Sequence, residues 1–171
     1  MATVGETLTA GLASWGIDTV FGIPGVHTIE LYRGIAAAGL RHVTPRHEQA
    51  AGFMADGHAR ATGRPAAAFV ITGPGLTNIA TAMAQAHADS VPMLVVSAVG
   101  GRRRLGLGTG DLHELKRQDL VAEQCAALSL RLSDPAQLAE ALARAFAVFE
   151  GARPRPVHLE LPLDLFAEPW E

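Results

Sequence analysis

Glu48 is the carboxylate whose surroundings invite chemistry. It stands in the string Arg46-His47-Glu48-Gln49-Ala50-Ala51-Gly52, after a strand-like segment that Pro45 stops. Small apolar residues follow it. A helix start favours the ionised carboxylate, whereas apolar burial favours the acid. A glutamate held between the two could share or exchange a proton with a heterocycle nitrogen. The same placement suits a solvated first-turn cap, and the local sequence leaves both readings open.

Gly73-Pro74-Gly75 is the second candidate. Glycines between a strand and a helix let backbone amides approach a ligand, and a helix N-terminus favours anions. The segment lacks the full G-x-G-x-x-G pattern and the lysine of a P-loop, so a plain tight turn fits it equally. Gly106-Leu107-Gly108-Thr109-Gly110 also misses dinucleotide spacing. Of seven histidines none forms H-E-x-x-H, and one cysteine makes no zinc knuckle. The chain is therefore expected to supply no metal ligand. His113 lies beside Glu114 in a glycine-rich stretch, where a catalytic group can ride on a loop; an ordinary surface histidine is the alternative. Ser90 and Ser97 lack the G-x-S-x-G context of a hydrolase nucleophile. Arg102-Arg103-Arg104 reads as a solvated loop, and Cys125 as a small apolar packing residue.

The elements that would position these residues follow from periodicity. Thr3 and Glu6 stand at capping-box spacing ahead of Val4, Leu8, Leu12 and Trp15, which predicts a helix ending at Gly16. Further helices are expected over 28–38, over 47–62 with Ala51, Met54, Ala55, His58 and Thr62 near one face, over 77–87, and from Asp134-Pro135 to Gly151. Strands are expected at 18–21, 41–44, 66–71, 92–97, 127–132 and 156–161. Residues 99–118 read as a long loop with a short helix near Leu115. The alternation implies an α/β three-layer sandwich: a mainly parallel sheet of about six strands flanked by helices. Ligands of such sheets sit beyond the carboxyl ends of the strands. Gly22–Gly25, Pro45–Glu48 and Gly73–Gly75 all follow such ends.

The 171 residues suffice for one domain, placed at 1–166 with 167–171 as an exit linker or tail. A net charge of -3 excludes the basic field of a nucleic-acid binder. No apolar run reaches the ~18 residues of a membrane span. A lone cysteine and a start without a signal-peptide pattern point to the cytoplasm.

Read together and in order, four segments resemble one family. They are Phe21-Gly22-Ile23-Pro24-Gly25, Arg46-His47-Glu48 through Arg60, Thr72-Gly73-Pro74-Gly75-Leu76-Thr77-Asn78, and Ala88-Asp89-Ser90-Val91-Pro92-Met93. The family is the thiamine-diphosphate-dependent enzymes of the acetolactate synthase and 2-oxo-acid decarboxylase group. The chain looks like their N-terminal, pyrimidine-binding domain, from about residue 3 to Phe166.

The resemblance implies roles. Glu48 matches the glutamate that hydrogen-bonds N1′ of the aminopyrimidine, favouring the imino tautomer whose nitrogen removes the thiazolium C2 proton. The ylid then attacks a 2-oxo acid and stores the electrons released with carbon dioxide. Pro24 and Gly25 match the loop beside the pyrimidine, and Thr72, Gly73, Asn78 and Gln85 the wall of that site. Where acetolactate synthases carry Phe-Gln-Glu, this chain reads Leu112-His113-Glu114. That departure leans toward a decarboxylase or another lyase, with His113 a proton donor or substrate contact. The strings Gly25–Gly34 and Gly110–Leu115 look similar to decarboxylases of a guanidino-substituted 2-oxo acid.

The family holds diphosphate and Mg2+ through a Gly-Asp-Gly motif in a separate domain, and this sequence has none. The resemblance therefore implies a diphosphate-binding domain, in the same longer chain or a separate subunit. It also implies dimers or tetramers that pack through the helices at 48–62 and 77–87. The competing readings are a non-catalytic module that kept the fold, a self-sufficient nucleotide-binding domain, and an acetolactate synthase rather than a simple decarboxylase.

Overall fold

The computed structural model describes residues 1–151 and 153–170. The chain runs α1 (Val4–Ser14), β1 (Thr19–Gly22), α2 (Ile29–Ala37), β2 (Arg41–Val43), α3 (Glu48–Thr62), β3 (Ala66–Val70), α4 (Pro74–Asp89), β4 (Met93–Val99), α5 (Gln118–Cys125), β5 (Leu128–Arg131), α6 (Gln137–Glu150), β6 (Val157–Pro162) and α7 (Leu163–Phe166). The strands form one sheet in the order β2-β1-β3-β4-β6-β5, and every pairing is parallel. The expected three-layer α/β sandwich is what the chain adopts.

Strand periodicity sorts the side chains into two cores. Val20, Phe69, Leu94, Val96, Leu159 and Leu161 face α1, α2 and α6; Ala68, Val70, Met93 and Val95 face α3, α4 and α5. The Thr3 capping box is present, with Thr3 and Glu6 bonded reciprocally, and Val4, Leu8 and Leu12 are fully buried. Trp15 ends that helix and stacks on Phe146 of α6, ring centroids 4.9 Å apart.

Several expectations shift. α4 begins at Pro74 rather than Thr77, because proline's missing N–H costs nothing at a first helical position. The buried face of α3 is Ala51, Gly52, Ala55, Asp56 and Ala59, while Met54 and Thr62 lie on the exposed side. Residues near Leu115 form turns, and the helix of that region is α5, starting at Gln118. α6 begins at Gln137, and Asp134 accepts from the Ala136 N–H in the preceding turn. The expected tail is no free linker as far as residue 170. Val4 donates to the Glu168 carbonyl, Trp170 donates to that of Ala2, and Thr3 bridges Pro169. Glu171 lies outside the described residues.

A polar strip crosses the core beneath α5. His158 of β6 is fully buried between the Ser97 hydroxyl at 2.7 Å and the Ser129 hydroxyl at 2.8 Å. Burial, reinforced by Arg131, pushes its pKa down to about 3 from 6.5. The unfolded chain therefore binds the proton first as pH falls. The stability from a neutral His158 is present above pH 6.5 and is lost progressively between 6.5 and about 3. The neighbouring Glu160 runs the other way. Burial raises its carboxyl above 4.5, so its contribution is present at low pH and fades as pH rises. Denaturant unfolding of His158→Gln isolates the histidine. Below pH 6.5 the wild type should lose stability more steeply, the difference in slope approaching the one-proton limit of about 1.4 kcal/mol per pH unit. Parallel curves would show that His158 carries no such linkage.

Candidate active site

β1 lies between β2 and β3: the connection from β1 runs outward to β2 through α2, and the next returns past β1 to β3 through α3 on the other face. That reversal opens a crevice at the carboxyl ends of the strands, where α/β sheets bind ligands. Three loops border it: Gly22–Gly25 after β1, Thr44–His47 after β2, and Ile71–Gly73 after β3.

Glu48 occupies the first helical position of α3, where a carboxylate meets the positive end of the helix. It is half-buried, and the Asn78 side-chain amide donates to its Oε2 at 2.9 Å. His47, the N-cap, accepts the Gln49 N–H on its ring Nδ1, which leaves the Glu48 carboxylate free of the capping duty. Asn78 stands one turn into α4, so the two helix starts are tied across the crevice.

Gly73 turns the chain from β3 into α4 with φ 62° and ψ -103°. Its N–H donates to Gln118 Oε1 at 2.8 Å, and a Cβ there would lie 2.1 Å from the His113 carbonyl oxygen. The loop after β4 is thus seated directly on the loop after β3. Thr72 is buried with no partner for its hydroxyl. Pro24 and Gly25 face the crevice from β1, and a Cβ at Gly25 would meet Ile71 Cγ2 at 2.9 Å. His113, itself in the left-handed region at φ 61°, meets the His27 ring edge-on at 5.8 Å. Pro24, Gly25, Glu48, Thr72, Gly73, Asn78 and His113 therefore gather along one edge of the sheet. Gln85 does not join them. It lies seven residues beyond Asn78, about 10 Å along α4, exposed and bonded to Asp89.

Comparison with known proteins decides the family. The family described as "Thiamine pyrophosphate enzyme, N-terminal TPP binding domain" matches residues 2–122. The chain belongs to this family. The probable 2-ketoarginine decarboxylase of Pseudomonas aeruginosa is 57% identical over 167 residues, covering 98% of this chain and 30% of that protein. The mitochondrial acetolactate synthase catalytic subunit of Saccharomyces cerevisiae is 35% identical, covering 96% and 24%. The oxalyl-CoA decarboxylase of Escherichia coli K12 is 34% identical, covering 91% and 27%. The chain thus spans about a quarter to a third of the length of these relatives.

In this thiamine pyrophosphate domain, three side chains at the crevice escape a sequence reading. Gln118 is buried and joins the Gly73 N–H to the Ala98 carbonyl and the Ser97 hydroxyl. Its signal lay in the helical spacing of Gln118, Ala122 and Cys125. The Tyr32 hydroxyl is buried without a partner beside Gly22, and burial together with the Glu48 charge keeps it protonated. No local pattern announces it. His27 is the third.

The glycine-rich stretch is more ordered than a solvated loop. Arg102 binds Asp164 at 2.8 Å, the Ser133 carbonyl at 2.8 Å, and Glu168. Arg104 pairs with Asp111, and Glu114 accepts the N–H groups of Gly108, Gly110 and Asp111. Under this loop lies a cavity of about 380 Å³ lined by Thr72, Gly100, Arg104, Asp111, Lys116 and Arg131. Among the described residues no helix is long and apolar enough to cross a membrane, and no cluster of three His, Cys, Asp or Glu could hold a metal ion.

Proposed function

We propose that this chain is the pyrimidine-binding half of a thiamine-diphosphate-dependent lyase acting on a 2-oxo acid. The observation that carries the reading is the Glu48 carboxylate, half-buried at the crevice and fixed there by Asn78. The rest of the edge fits an aminopyrimidine. Thr72 offers a buried hydroxyl with no partner among the described residues, and the absence of a Cβ at Gly25 and Gly73 lets Ile71 and the His113 carbonyl pack directly on the backbone that shapes the site. When bound, thiamine diphosphate supplies a carbon nucleophile and an electron sink for the loss of carbon dioxide. Glu48 holds or exchanges a proton at the pyrimidine N1′, and Asn78 keeps its carboxylate in line. Thr72, Gly73, Pro24 and Gly25 bind and orient the ring. His113 contacts substrate or delivers a proton from the loop after β4.

Diphosphate and Mg2+ belong to a diphosphate-binding domain, in a longer form of this chain or in a separate subunit. The domain is placed at residues 1–166, with 168–170 packed against its N-terminal segment. Phe53 and Met54, each 41% exposed on α3, form the face assigned to pairing, giving a dimer or tetramer.

The substrate proposed is a guanidino-substituted 2-oxo acid. The 57% identity to the Pseudomonas protein and His113 in place of the acetolactate synthase glutamine both support it. Acetolactate formation is the second reading, supported by the yeast relative. The test is carbon dioxide release by the complete enzyme with thiamine diphosphate and magnesium. A kcat/KM for 2-ketoarginine at least tenfold above that for pyruvate is expected. Acetolactate made from pyruvate at the higher rate would overturn the choice. Failure to bind the cofactor by calorimetry, with the diphosphate domain present, would make the chain a non-catalytic module.

A further inference from the structure

His27 lies in the turn between Gly25 and α2, only 8% exposed. Its ring Nδ1 is buried and has no hydrogen-bond partner among the described residues. Burial, then the nearby His113, lowers its pKa, so the ring is neutral. Nothing in the fold asks for such a residue. α2 takes Thr28 as its N-cap, and the turn is closed by the Thr28 N–H donating to the Gly25 carbonyl. A buried, unpaired nitrogen weakens a fold, and an apolar ring of similar size would serve packing better. A buried polar group left without a partner calls for an explanation outside packing, and a role at the adjoining crevice is one.

What His27 does touch is His113. The two rings meet edge to face, centroids 5.8 Å apart at 82°. The backbone of His113 is fixed separately, its carbonyl seated on Gly73 and its φ at 61°. With the backbone held from the β3 side, the direction of the His113 imidazole is left to its side-chain neighbours. We propose that His27 is a positioning residue, whose buried ring sets the orientation of the His113 imidazole at the crevice. A reacting group displaced by an ångström can lose two orders of magnitude in rate, so a ring that fixes direction matters without touching substrate. The inference rests on the assignment of His113 to substrate contact or proton delivery.

The test is a double-mutant cycle in the complete enzyme, following kcat, KM and melting temperature. His27→Ala should lower kcat about tenfold with KM within twofold. His27→Phe keeps the ring and removes the unpaired nitrogen. It should stay within threefold of wild-type kcat and melt no lower. In a His113→Ala background, His27→Ala should change kcat by less than twofold. Should His27→Ala melt more than about 5 °C lower, His27→Leu, which fills the volume without an aromatic edge, takes its place in the cycle.

Equal losses in both backgrounds would overturn the proposal, as would a His27→Phe loss as large as that of alanine. Normal turnover in His27→Ala would overturn it too. His113→Ala with unchanged kcat defeats the reading of His113 itself. Paired with a defective His27→Ala, that result would mean that His27 acts directly and not through its neighbour.

Discussion

Glu48→Gln in the complete enzyme should lower turnover by about 10²- to 10⁴-fold, the range of a lost acid–base group, while the domain folds as before. The two halves of this expectation have separate grounds. Folding survives because the amide is nearly isosteric and the side chain is only half-buried. Its oxygen can still accept the Asn78 amide that now reaches Glu48 Oε2 at 2.9 Å. The first-turn charge is lost from α3, and such charges contribute about 0.3–1 kcal/mol. The melting temperature should therefore move by only a few degrees. Catalysis does not survive, because an amide cannot hold or exchange a proton at the pyrimidine nitrogen. Exchange of the cofactor's C2 proton, followed by NMR, separates this step from substrate binding. An unchanged exchange rate in Glu48→Gln would sink the role given to Glu48. A large fall in melting temperature would instead mean that the carboxylate serves the fold.

The parts of this domain legible in sequence are those written in local period. The capping box at Thr3 and Glu6, the alternation of apolar runs with small-residue helices, and the loops after β1, β2 and β3 all follow from neighbours a few residues apart. Glu48 was visible because its helix start and its family motif coincide in one string. The packed face of α3 was half legible. Alanines dominate it, and a helix of small residues gives little contrast between its faces, so periodicity places Met54 inward whereas it lies outward. α5 carries no legible period, because glycines precede it and its inward residues are a buried glutamine, a buried alanine and a half-buried cysteine. The Ser97–His158–Ser129 strip depends on register between three strands, Ser97 standing opposite Glu160 and Ser129 opposite His158. No single segment encodes that. The contacts of His113 with Gly73 and His27 likewise join loops distant in sequence, which only the sheet order brings together. Gln85, a site residue by resemblance alone, lies two helical turns from Asn78.

Gly73→Ala should be the most destabilising single-methyl change at the crevice, by about 3 kcal/mol or more. Two costs add. A φ of 62° with ψ of -103° is glycine territory, and holding an L-residue there costs on the order of 1–3 kcal/mol. The added methyl would also sit 2.1 Å from the His113 carbonyl oxygen, a backbone atom that no rotamer change can move aside. Overpacking of this kind costs about 1–3 kcal/mol in its own right. A domain's whole stability is only about 5–15 kcal/mol, so the loss is a large share of it. Relief is available only by moving the loop after β4. That movement carries His113 off the edge and strains the Gly73 N–H bond to Gln118. Activity should therefore fall at least a hundredfold even in molecules that remain folded. Gly57→Ala is the matched control. It lies inside α3, where a Cβ meets nothing of this chain within 4 Å, and in the unpaired domain alanine there should stabilise by roughly 0.5–1 kcal/mol. Opposite signs for the two substitutions in denaturant unfolding are the expected result. A Gly73→Ala domain within 0.5 kcal/mol of wild type, by the ordinary scatter of surface changes, would mean that the seat of His113 on Gly73 is not as rigid as its geometry requires.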